Sequence, residues 1–158
     1  MIRRRPAPGA TAAALAVAAF VLAATPAGAQ DRDSVAEARV TVVNAAAAPV
    51  TAVMTETPTA AVLAPWPRAL APGEDLEAAF VFPAMTGAVS MVQYALPPES
   101  DGDTRTCLFR WRADASAVVR CAAVLTAQRI GVGAVSCDAR LVEQDPQTCS
   151  FRAVFEVR

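Results

Sequence analysis

Four cysteines, at positions 107, 121, 137 and 149, have the widest chemical repertoire in this 158-residue sequence. A redox pair would need a Cys-x-x-Cys spacing and a base to draw off the thiol proton, and neither is present, the sequence containing no His. A four-thiolate zinc site uses close-set pairs, whereas these cysteines lie 14, 16 and 12 residues apart. Structural disulfides remain, with three connectivities open. If Phe109 and Trp111 face Val119 and Ala117 across a hairpin, Cys107 falls opposite Cys121, which favours Cys107–Cys121 with Cys137–Cys149. The second pair fits less well. A turn at Asp145-Pro146 leaves Cys149 near Leu141, ~13 Å along a strand from Cys137, beyond the ~4.4–6.8 Å between bridged Cα atoms. A longer, asymmetric loop would repair that register.

Three further groups could bind. Glu99, Asp101 and Asp103 crowd carboxylates around Gly102, a rudimentary calcium loop. It lacks the closing Glu and ligand spacing of an EF-hand, so a solvated turn is favoured and no metal is assigned. Arg110, Arg112 and Arg120 form a stripe suited to an anionic ligand, or simply the wet face of a sheet. Trp66, between Pro65 and Pro67, reads as an exposed platform for a glycan or partner or, the favoured reading, as a plug over one end of the core.

Catalytic constellations are scarce. Without His, neither a Ser-His-Asp nor a Cys-His arrangement can be assembled from these residues. No phosphate-cradling glycine loop or dinucleotide fingerprint is present, and no catalytic residue or cofactor is assigned. A two-carboxylate hydrolase, whose pair would be spatial and so invisible in sequence, stays as the alternative to a non-enzyme.

The elements that must position these groups begin after residue 29. Arg3-Arg4-Arg5, the apolar run from Ala12 to Ala24 and the small residues Ala27-Gly28-Ala29 read as a cleavable signal peptide over 1–29. The run is too short and alanine-rich for a span, so no membrane-crossing segment is expected after cleavage. Residues 30–38 read as a flexible leader and 39–158 as one domain. Short β-branched runs at 39–44 and 50–55 read as a hairpin. Strands follow at 76–82 and 89–96, with the proline-rich stretch 57–72 irregular or at an edge. In 107–112, 135–141 and 148–158 alternation puts the cysteines on the apolar side. Residues 114–131 satisfy either a helix or a strand, and strand is preferred.

The pattern predicts one antiparallel β-sandwich of seven or eight strands, stapled in its C-terminal half. The order from Arg39 to Phe82, a β-branched run, Asn44, a second run and Leu70-Ala71-Pro72-Gly73-Glu74 before a strand, resembles small exported immunoglobulin-like, Greek-key sandwiches. That resemblance is one of fold.

Charge completes the expectation. The sequence has fourteen Arg and no Lys, looks like the product of a GC-rich bacterial genome, and carries a net charge of −1. Acids dominate up to Asp103 and arginines from Arg105 onward. This balance gives no footprint for nucleic acid. The expected protein is a secreted or periplasmic, non-catalytic module that binds an anionic envelope polymer or another envelope protein. The alternative is a small carboxylate-dependent hydrolase acting on an envelope polymer.

Overall fold

Alternation with period two, carried by β-branched and aromatic residues, builds the structure. In β1 (Val35–Asn44), Ala36, Ala38, Val40 and Val42 are buried while Glu37, Arg39 and Thr41 lie on the other face. The computed structural model describes residues 35–114 and 121–158. The signal-peptide reading over 1–29 and Arg120 therefore lie outside the described residues.

Nine strands follow β1: β2 (Val50–Glu56), β3 (Ala61–Ala64), β4 (Ala69–Leu70), β5 (Asp75–Pro83), β6 (Ala88–Leu96), β7 (Arg105–Asp114), β8 (Ala122–Ile130), β9 (Cys137–Gln144) and β10 (Phe151–Val157). They form two five-stranded sheets, ordered β3-β5-β1-β10-β9 and β4-β2-β6-β7-β8. No helix occurs among the described residues, so none is long and apolar enough to cross a membrane. Each sheet turns one apolar face to the other. The shared core stacks Phe109 on Phe155 at 4.8 Å and sets Trp111 within 6 Å of Phe80, Phe82 and Phe151.

The β-sandwich, the strand preferred within 114–131 and the C-terminal staples are all present. Besides the strand number, which is ten and not seven or eight, four expectations need correcting. The leader ends earlier than position 38, because Ala36 and Ala38 are fully buried opposite Phe82 and Phe80 of β5. The pairing is not wholly antiparallel, since β1 runs parallel to β10. β1 and β2 are not a hairpin, since they lie in different sheets. Alternation says which face is buried but not which strand is the neighbour.

What turns the chain from one sheet to the other is Asn44. Its buried amide donates to the carbonyls of Ala48 and Leu70 at 2.9 and 3.0 Å, and its oxygen accepts from Ala46 N–H at 3.1 Å. Removing it strands backbone groups that have no other side-chain partner. Asn44→Ala is therefore expected to cost about 2 kcal/mol, read as a lower urea midpoint at unchanged m-value.

The fourth correction concerns the disulfides, which join Cys107 to Cys137 and Cys121 to Cys149. Strand β7 runs on to Asp114 before the chain reverses, so Cys107 faces Arg129 and not Cys121. β10 likewise places Val157, and not Cys149, beside Cys137. Both bridges cross from one sheet to the other along the side where β8 and β9 meet.

Candidate functional site

The acidic loop is tied down. Arg105, 8% exposed, places one guanidinium nitrogen on Glu99, another on the Pro97 carbonyl, and its Nε 3.6 Å from Asp103. The loop before β9 packs on this cluster. Gly133 N–H donates to the Thr104 carbonyl, and Gly131, at φ 104°, leaves no room for a Cβ, which would lie 2.1 Å from the same oxygen. Two of the three carboxylates thus face a cation of the chain, and Asp101 stands exposed. Among the described residues no group of three or more acids or cysteines is placed to hold a metal ion.

Trp66 is 5% exposed, so it is the plug and not an open platform. It stacks on Phe155 at 6.0 Å and tilts onto Phe80 at 5.0 Å, while its indole N–H donates to Ser90 Oγ at 2.9 Å. The two prolines beside it steer the chain between sheets. The Pro67 carbonyl accepts a 2.8 Å hydrogen bond from the Tyr94 hydroxyl, whose pKa burial pushes well above its ordinary value.

Arg110 and Arg112 do share a face. Alternation on β7 sends Phe109 and Trp111 inward and both arginines outward. Register sets Arg110 between Met91 and Thr126, and Arg112 between Val89 and Val124. Arg112 contacts Asp114 at 2.6 Å, whereas Arg110 has no ion pair among the described residues. Neither β6 nor β8 supplies an acid to it. The outer face of the other sheet differs: Arg39 meets Glu37 and Glu77, Arg152 meets Glu143, and Arg158 meets Asp138 and Glu156. Three of the four arginines of that sheet and its C-terminal end thus meet carboxylates, while exposed Arg140 on β9 has no ion pair among the described residues. On β7, Arg110 faces outward, flanked by apolar and neutral residues of β6 and β8.

Three carboxylates, Glu37, Glu143 and Asp145, line a shallow depression of about 240 Å³ over β1, β9 and β10. Glu37 and Glu143 contact Arg39 and Arg152. Asp145 accepts from Gln147 N–H and the Thr148 hydroxyl, which hold its carboxyl below the ordinary range. A general acid needs a shift in the opposite direction.

The larger opening, about 490 Å³, has no counterpart among the sequence-based expectations. It lies between the β2 edge and the arch that β3 and Trp66 make, because β3 leaves β2's sheet to pair with β5. No local pattern announces it, since it arises from where consecutive strands part.

No family model matches the sequence, and no curated protein matches it. Among solved structures, the lipid binding protein Nakanori is similar, with a TM-score of 0.55 and 12% sequence identity over 77% of this chain and 70% of that one. At that identity the likeness is one of fold.

Proposed function

We propose that the protein is a non-catalytic binding module, exported to the periplasm or secreted, that engages an anionic surface through the outer face of β7 and its neighbours. The observation that carries this reading is Arg110, an exposed guanidinium with no carboxylate on either flanking strand. Arg112 stands beside it, and Val89, Met91 and Val124 provide apolar ground where a guanidinium can meet phosphate or carboxylate without losing a fold contact. The two disulfides suit an oxidising compartment outside the cytoplasm. An anionic envelope polymer would supply the charge, and so would lipid headgroups, in keeping with a fold shared with a lipid binding protein.

Co-sedimentation with phosphatidylglycerol and phosphatidylcholine vesicles, and with dextran sulfate as a soluble polyanion, tests this. Binding should be confined to the anionic partners and weaken as salt rises past ~0.1 M, where the screening length falls to about 10 Å. Arg110→Glu with Arg112→Glu should abolish it, each arginine near an anionic surface contributing about 1 kcal/mol. Equal binding to both vesicle types, or an unaffected double variant, would refute the assignment.

A further inference from the structure

The two sides of the sandwich are closed differently. On one, β8 and β9 meet and both disulfides cross between the sheets. On the other, β2 and β3 are consecutive in sequence yet belong to different sheets, and the opening of about 490 Å³ lies between them. β4 covers the outer edge of β2 only at Val50 and Thr51, with one further bond from Ala52 N–H to the Arg68 carbonyl. From Val53 to Glu56 no strand of the described residues pairs with that edge. β3 is likewise paired on one side alone, with β5. An edge left this way is a template for another strand.

The walls of the opening say what kind of strand. Val62, Met54, Pro65, Trp66 and Phe80 make an apolar lining. Val53 and Val62, which line the opening, are 58% and 50% exposed, and Leu63 beside Val62 on β3 is 61% exposed. The Trp66 indole N–H and the Thr57 hydroxyl are already engaged by Ser90. What is left is backbone, the hydroxyls of Thr51 and Thr55, and the exposed guanidinium of Arg68, which meets no acid among the described residues. The bulge at Val53 limits the free edge to about four residues, ~13 Å of extended chain.

We infer that this seam is a strand-acceptor site: a short extended segment of a partner protein, apolar on one face and carrying an acidic residue, pairs with β2 at Val53–Glu56 and sets its acid against Arg68. Main-chain bonds would hold the segment, while the apolar lining and Arg68 would select it. The inference is independent of the arginines on β7.

The probe is a displayed library of random heptapeptides, panned against the disulfide-bonded protein, with the strongest binder then resynthesised. Enriched peptides should alternate apolar residues and share an Asp or Glu. In complex they should slow amide exchange at Val53–Glu56 by tenfold or more, leaving β8 and β9 unchanged. Arg68→Glu should weaken binding about tenfold, and exchanging the peptide's acid for Arg should restore it. No enrichment, protection elsewhere, or an Arg68→Glu variant that binds unchanged would overturn the inference. So would dodecyl phosphate filling the opening and slowing none of the β2 amides, which would mark an amphiphile site instead.

Discussion

Trp111→Ala is expected to remove about 4 kcal/mol of stability, a large share of the ~5–15 kcal/mol that holds a domain of this size folded. The indole is fully buried and touches Phe80, Phe82 and Phe151, which come from two strands of the opposite sheet. Among the described residues no other side chain joins as many aromatic neighbours across the core. Truncation leaves a cavity bounded by strands that the rest of the sandwich holds apart, so little collapse can offset it. Trp111→Phe is the informative companion. The buried indole N–H has no hydrogen-bond partner among the described residues, and phenylalanine discards that unmet donor while keeping most of the apolar volume. It should cost less than about 2 kcal/mol. Urea unfolding of both variants, followed by far-UV circular dichroism, checks the pair. An alanine variant within about 1 kcal/mol of the parent would show that the aromatic cluster does not carry the core.

Removing the bridges should have an effect of the same order. They close loops with sequence separations of 30 and 28. Chain entropy assigns each about 3.6 kcal/mol through the unfolded state. The loops interleave, so the second bridge constrains a chain already shortened by the first, and losing both should cost less than twice one. At about 4 °C per kcal/mol for a domain of ~120 residues, the Cys107→Ala, Cys137→Ala variant should melt about 14 °C below the parent. Full reduction should lower the midpoint further. Peptide mapping without reductant should recover 107 linked to 137 and 121 linked to 149. A map joining 107 to 121 would overturn the strand register of β7 and β8.

That register shows where sequence reasoning reaches and where it stops. Strand by strand, the faces were legible: Phe109 and Trp111 inward with Cys107, Arg110 and Arg112 outward, and Phe151, Ala153, Phe155 and Val157 together in the core. Period two is a local property and survives whichever neighbours a strand acquires. Pairing is not local. The cysteine partners depended on β7 continuing to Asp114, which no residue near Cys107 or Cys121 records. β1 and β2 looked like a hairpin because the small residues between them suit a turn, yet the decisive contact is Asn44 with the Leu70 carbonyl, 26 residues away. For Trp66 the sequence favours the plug over the platform, and the contacts that place it in the core, with Ser90 and Phe155, come from distant strands. The arginines on β7 could be placed on one face from sequence, but that Arg110 lacks an acid depends on which strands flank it. The β2–β3 opening was invisible for the same reason.

The position of β10 governs the order in which the domain can be completed. It lies between β1 and β9, hydrogen-bonded in parallel to Ala38–Asn44 of the first strand. A chain that becomes available from its N-terminal end presents β1 before β10, and one side of that strand must wait for residues 151–157 before it has a neighbour. Parallel pairing across so long a stretch of sequence is slow to find. Through that interval the strand's bare flank, with alternate residues belonging to the core, is open to whatever extended chain is nearby. A product cut short before Phe151 would keep that flank permanently. It should therefore accumulate as aggregate or proteolytic fragments, and not as a slightly smaller folded domain.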